Sequence, residues 1–236
     1  MVFKDGDFLE VEYSAWTVAD NGLISTTDEK KAKDGNIYDE HMRYGPILVV
    51  IGSNSVIKGL DKALRDMTLN ETKKLTFKPE EAFGERVPDL VRVMPIAEFR
   101  KRDMDPYPGM QVNIDNATAI VKSVNSGRVT VDMNHPYAGQ EIIYEVKITK
   151  HLTVEKEKVK ALGRTYNVEP TDAEVKDKTL HMKFNNEVKK NADYFIGKAN
   201  LVASTFTYFK ELEKVEVNEE YLRPKESDKK ANEELE

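Results

Sequence analysis

The sequence predicts an α+β fold: an antiparallel sheet on a short helix, interrupted by a small strand-rich unit and followed by a third unit with a long helix. Three observations carry this. Apolar and polar side chains alternate at period two in residues 8–13 and 73–78, as in half-buried strands. Leu60, Ala63, Leu64 and Met67 recur at helical spacing between those strands. From residue 86 to 136 the local grammar changes, with Pro88, Pro95, Pro106 and Pro108 punctuating short apolar runs.

Taken in order, Leu9, Val11 and Tyr13 alternate with Phe8, Glu10 and Glu12, and Asn21-Gly22 supplies the turn that follows. Residues 47–51 form a continuous apolar run closed by Gly52, the pattern of a strand buried on both faces. The short helix comes next, with Ser55 as its expected cap. Leu75 and Phe77 share one face of the next strand. In the middle unit a strand is expected over 90–94 and a short amphipathic helix over 96–101. Further strands are expected over 110–114, 119–125 and 128–133, the last two joined by a hairpin turn at Ser126-Gly127. These fifty or so residues are compact enough to be an inserted domain. Alternation resumes over 141–149, with Ile143 and Ile148 as apolar members. A charged helix is expected over 154–162, a strand at Leu180, Met182 and Phe184, and a long helix over 193–212. The apolar face of that last helix is broader than one buried stripe requires, which implies a second contact such as a homodimer.

Composition narrows the function. A net charge of −6 argues against a general nucleic-acid binder, which needs basic surface for phosphate contact. With no cysteine, thiolate catalysis, disulfides and cysteine-held zinc are excluded. The N-terminus lacks an apolar signal-peptide core, and the apolar run at 47–51 is far short of the ~20 residues that span a bilayer. A cytoplasmic protein with no membrane partner is the expectation. Residues 225–236 are nearly all charged or polar and read as a solvated tail. His41, His135, His151 and His181 show no metal-ligand spacing, so no metal site and no cofactor are expected; His135 reads as a hinge hydrogen-bonder. Arg100, Lys101 and Arg102 read as a solvated helix face.

The segment from Gly52 to Leu64 contains Val56-Ile57-Lys58-Gly59-Leu60, which resembles the central signature of the FKBP-type peptidyl-prolyl isomerases. Glu81-Ala82-Phe83-Gly84 is similar to that family's Ala-Tyr-Gly turn. The run from Asn134 through His135, Pro136, Tyr137, Ala138 and Gly139 to Gln140 resembles the motif that closes the insert in SlyD-like members. Tyr13 and residues 21–27 fit the family's first hairpin, and the ordered series covers residues 3–151. The C-terminal third resembles the extra domain of long archaeal members by position alone. The resemblance implies an antiparallel half-barrel around the short helix, formed by 1–86 and 136–151. It also implies an inserted β-rich flap (chaperone) domain at 87–135 and a C-terminal α+β domain at 152–224, the candidate dimerisation domain.

The implied activity is rotation of prolyl amides in unfolded or nascent polypeptides, together with chaperone binding. The resemblance assigns the catalytic pocket to Tyr13, Ser25, Ile57 through its backbone N–H, Leu60 as floor, Phe83 and Tyr144. Ile24, Ile47, Val56 and Tyr137 are the implied substrate-binding walls. Taken alone, Ile47, Val56 and Leu60 read as core, and in the family order core and pocket coincide. In the insert, Val91, Met94, Ile96, Phe99, Met104, Met110 and Met133 are the implied client-binding residues, since flexible thioethers re-pack around dissimilar partners; most of them also suit the core of a small domain. The chain departs from the family pattern at three places. Ser25 stands where an Asp is usual, Ile24 where an aromatic is usual, and Phe83 where many members have Tyr. Each lost donor is worth ~0.5–1.5 kcal/mol, so the expectation is reduced isomerase activity, with a binding-only holdase as the alternative.

Overall fold

The computed structural model describes residues 2–115, 117–185 and 191–220, and the expected polar tail at 225–236 lies outside them. Among the described residues three sheets form, two of them wholly antiparallel, with few helices. The first sheet is built from β1 (Phe8–Thr17), β2 (Leu23–Thr26), β3 (Ile47–Val50), β4 (Thr72–Phe77) and β9 (Ile142–Leu152). β1 pairs β9 along its whole length, from Phe8↔Leu152 to Thr17↔Ile142. On its other edge β1 pairs β3 with its first half and β2 with its second, and β4 closes the far side of β9.

The concave face of this sheet wraps α2 (Lys58–Arg65), burying Leu60 and Leu64 against Leu9, Val11, Val146 and Ile148. Ser55 does not cap the helix. Ile57 is the N-cap, its side chain has no oxygen to offer, and the preceding loop is held instead from within the helix. The Gly52 N–H donates to Asp61 Oδ1 at 2.8 Å, and Arg65 binds Asp61 and Asp5 at 2.9 and 2.6 Å. Gly59 is required by closeness: a Cβ there would lie 2.4 Å from the Phe77 ring, so only glycine lets α2 sit this deep.

A short helix, α1 (Glu29–Asp34), follows β2 and has no apolar stripe long enough to be read from the sequence. Asp28 caps it by accepting the Lys31 N–H at 3.1 Å. Between β4 and β9 the second sheet runs β5 (Val91–Pro95), β8 (Arg128–Asp132), β7 (Ala117–Asn125), β6 (Gln111–Ile114), all antiparallel. With α3 (Ile96–Arg100) it encloses its own core of Phe99, Val112, Ile114, Val121, Val129 and Val131. Ser126 and Gly127, with φ of 48° and 76°, make the tight turn between β7 and β8, as the sequence predicts.

The last unit holds α4 (Glu155–Thr165), β10 (Asp172–Lys176), β11 (Thr179–Phe184), α5 (Ala192–Tyr208) and β12 (Lys214–Glu219). β10 pairs β11 antiparallel, while β11 and β12 are parallel, joined by a crossover through α5. The long helix ends at Tyr208, four residues before the expected 212, because Phe209 leaves helical geometry. Tyr194, Leu201 and Thr205 are buried in this unit, whereas Phe195, Ile196 and Phe206 stay exposed. No helix among the described residues is long and apolar enough to cross a membrane.

The third unit shares its core with the first sheet. Phe8, Val50 and Leu152 point away from α2 and pack into one cluster with Val159, Leu162, Leu180 and Leu201. Phe8 meets Tyr208 edge-on at 5.7 Å and Phe209 at 5.8 Å. Truncating Phe8 to Ala is therefore expected to cost about 3–5 kcal/mol in urea unfolding. A near-neutral result would show that the third unit does not seal this face of the half-barrel.

Candidate active site

Period-two alternation sends Tyr13 from β1 and Tyr144 from β9 to the concave face, at the end of the sheet where the loop before α2 crosses it. There a cavity of about 440 Å³ opens, lined by Tyr13, Ser25, Ile47, Ser55, Val56, Ile57, Leu60, Phe83 and Tyr144. The structure thus brings together all six residues expected to be catalytic, with Ile47 and Val56. Ile24 and Tyr137 are not in the lining. Ile24 is the unpaired residue of a bulge in β2, between Leu23↔Trp16 and Ser25↔Ala15, and it packs against the barrel's core cluster without reaching the cavity. Tyr137 stands behind Phe83, ring centroids 5.7 Å apart.

The polar groups of the cavity are few. Tyr13 Oη and Ser25 Oγ are hydrogen-bonded at 2.9 Å, so Ser25 contributes a neutral hydroxyl pair where a carboxylate is usual in the family. No described residue offers a hydrogen bond to Tyr144 Oη or accepts one from the Ile57 N–H. Burial pushes the Tyr144 phenol up, with Tyr13 adding to the shift, so it remains an O–H donor through the physiological range. Ser55, expected as a cap, and His135, expected as a hinge, both serve here. Ser55 lines the cavity, and the His135 ring stacks on Phe83 at 4.3 Å and 6°. His135 Nδ1 accepts the Tyr137 N–H at 3.2 Å, which fixes the ring under Phe83. Sequence spacing alone carries no signal for this stack, since 52 positions separate the two rings.

The second sheet joins the first through two chain crossings held by one clasp. The Gly139 N–H donates to the Gly84 carbonyl at 2.8 Å, closing the gap between them. Asn134 reads the main chain of Val87 twice: Oδ1 accepts its N–H at 2.8 Å and Nδ2 donates to its carbonyl at 3.0 Å. Asp132, almost wholly buried, orients Asn134 by accepting from Nδ2 at 2.8 Å and from the backbone N–H at 3.0 Å, and it pairs with Arg86. Of the expected client-binding residues, Phe99 is 2% exposed and belongs to this unit's core; the expectation of a surface role for it is corrected by its position under β5 and β6. Met94, Ile96, Met104, Met110 and Met133 are half-buried around that core. Val91 lies on the opposite face of β5 with Val93, which is 62% exposed, and Tyr107 is 63% exposed. Val93 and Tyr107 are apolar surface that counting methionines overlooks.

A half-barrel with a water-accessible apolar cleft and an independently cored sheet set into one of its connections defines a ligand-binding barrel carrying an insertion. A family profile described as FKBP26, IF domain matches residues 92–137. The short-type peptidyl-prolyl cis-trans isomerase of Methanocaldococcus jannaschii is 31% identical over 147 residues, 62% of this chain and 92% of that protein. The FKBP-type peptidyl-prolyl cis-trans isomerase SlyD of Pasteurella multocida is 29% identical over 58% of this chain and 72% of its own length. The FKBP-type 16 kDa isomerase of Escherichia coli is 25% identical, covering 56% and 92%. The chain belongs to the FKBP-type peptidyl-prolyl cis-trans isomerase family, among the members with SlyD-like relatives and an insert-in-flap domain.

The clasp sets a pH dependence. Burial raises the Asp132 pKa, but the hydrogen bonds from Asn134 and the pairing with Arg86 outweigh it, so the carboxyl sits below its ordinary value. A depressed folded-state pKa contributes stability that is complete above the unfolded value of ~3.9 and is lost as pH falls through the folded value. The clasp is expected to hold at pH 5 and to loosen below about pH 4. Hydrogen exchange at the Val87 amide checks this, and Asp132→Asn should leave that amide weakly protected at every pH.

Proposed function

We propose that this protein is a peptidyl-prolyl cis-trans isomerase that also holds unfolded polypeptide clients on its inserted sheet. The observation that carries the reading is the cavity itself: apolar walls of Ile47, Val56, Leu60 and Phe83, with a free Ile57 N–H and a protonated Tyr144 phenol at its edge. An X–Pro amide resists rotation by ~18–20 kcal/mol because twisting breaks its resonance. The planar amide is the more charge-separated form, so transfer from water to an apolar cleft penalises it more than the twisted one. Donors that meet the carbonyl in its rotated position supply the differential binding that lowers the barrier. No nucleophile, metal or proton transfer is required.

The named relatives support the same reading, being peptidyl-prolyl cis-trans isomerases. Retention of the Tyr13–Ser25 hydroxyl pair and of an open cavity supports catalysis over binding alone, despite the missing Asp. For clients, the half-buried methionines around Phe99 and the exposed Val93 and Tyr107 offer adaptable apolar surface within one domain of the cleft, raising the local concentration of prolyl bonds. The exposed Phe195, Ile196 and Phe206 of α5 support a homodimer through the C-terminal unit, checked by light scattering on the full chain. We place the protein in the cytoplasm, where nascent clients arise.

The test is acceleration of a proline-limited refolding reaction; no acceleration by folded protein would sink the reading. Tyr144→Phe removes one donor and no internal hydrogen bond. It is expected to lower kcat/KM by about two- to tenfold while leaving the unfolding midpoint unchanged. Because Gly84 and Gly139 are hydrogen-bonded neighbours, replacing 88–134 with a short linker should close without strain. That variant is expected to keep turnover of short prolyl peptides and to lose most of its effect on protein refolding.

A further inference from the structure

A second cavity, of about 430 Å³, lies beside the first, between residues 41–48 and the C-terminal end of α4. The two cavities share Ile47 and Ser55 as a common wall. Its far side is supplied entirely by the third unit, through Ala161, Arg164, Thr165 and Asn167. We infer that this crevice is a flanking-chain subsite that receives the stretch of polypeptide next to the bound proline and selects acidic residues in it. The inference rests on the isomerase reading above and names a substrate preference for that site.

The occupant follows from continuity and charge. A prolyl substrate is a chain that must leave the first cavity, and each further residue advances it by about 3.3–3.6 Å, so a few residues carry it past Ile47 and Ser55 into the crevice. A volume of this size is in the usual range for bound ligands of ~300–1,000 Å³. The charges there are not equivalent. Arg164 is already neutralised by Glu10 at 2.6 Å and by Glu169 at 3.2 Å, while Arg43 has no carboxylate partner among the described residues. Arg43 therefore stands ready for a carboxylate brought by the chain. The Asn167 carboxamide likewise has no hydrogen-bond partner among the described residues and can meet a main-chain amide. The segment presenting Arg43 is held in place: the Tyr44 ring stacks on Tyr38 at 5.4 Å, its Oη accepts the Asp39 N–H at 3.0 Å, and the Gly45 N–H donates to the Thr27 carbonyl at 2.8 Å.

The experiment uses the full chain and two sets of prolyl peptides. One set is short and blocked next to the proline. The other carries three further residues, Asp-rich or Lys-rich, on the N-terminal or the C-terminal side. Acidic extensions on one side are expected to raise kcat/KM about two- to fivefold over basic ones. Arg43→Glu should invert that ratio, and Asn167→Ala should slow the extended peptides only. Both variants should turn over the short peptides at the wild-type rate. Equal turnover of acidic and basic extensions on both sides, or a preference that survives Arg43→Glu, overturns the subsite. If short peptides are not isomerised at all, the isomerase reading fails. The subsite is then still judged by whether the acidic peptide shifts the Gly45 and Asn167 amide resonances in the wild type but not in Arg43→Glu.

Discussion

The pairing of β1 with β9 is the constraint on which the rest depends. It joins residues more than a hundred positions apart in ten registered pairs, with one face buried along its length and the other buried at the Phe8–Leu152 end. Loop-closure entropy makes such a ladder costly to form, and the apolar surface it buries offsets that cost. One face carries Leu9, Val11, Val146 and Ile148 onto α2, and the other carries Phe8 and Leu152 into the third unit. The same alternation sets Tyr13 and Tyr144 side by side, ring centroids 5.5 Å apart, at the mouth of the cleft. Seam and site are one structure, so changes at either end of the ladder are felt at both.

Function occupies the places where this sheet stops filling its own interior. The helix sits as deep as Gly59 allows, yet the loop before it leaves Val56 and the Ile57 N–H facing open space rather than a partner. The cavity walls are core residues on one side and site residues on the other, so their apolar character needs no separate explanation. Phe83 is the exception, being braced from behind by His135 and Tyr137 from the closing crossing of the insert. The clasp at Asp132 and Asn134 therefore links the seating of the insert to the seating of a cavity wall.

Much of the fold was legible because the chain is locally consistent. Most strands of the first two sheets follow period-two patterns, β3 is a continuous apolar run, and the Ser126-Gly127 turn has the residues its positive φ values demand. The family resemblance named eight residues that line one cavity. What escaped was decided by contact. Phe8 reads as the polar-side member of an alternating strand and is buried because a distant unit covers it. Ile24 reads as a cavity wall, but a bulge in β2 leaves it unpaired beside Ser25 and packed on the core cluster instead. β10 and β12 were missed although Val215 and Val217 alternate in the latter, because short charged strands at sheet edges carry little apolar signal.

By itself the sequence determined the apolar pattern of most strands, the position of the buried helix, the change of local grammar that marks the strand-rich middle unit and the apolar residue types of the cleft, since these follow from local propensity and patterning. Tertiary structure alone decided which walls face the cavity, that His135 stacks on Phe83, that Arg164 is neutralised while Arg43 is not, and that a second crevice adjoins the first. Those outcomes depend on distances between residues far apart in the chain, and one-dimensional periodicity holds no record of them.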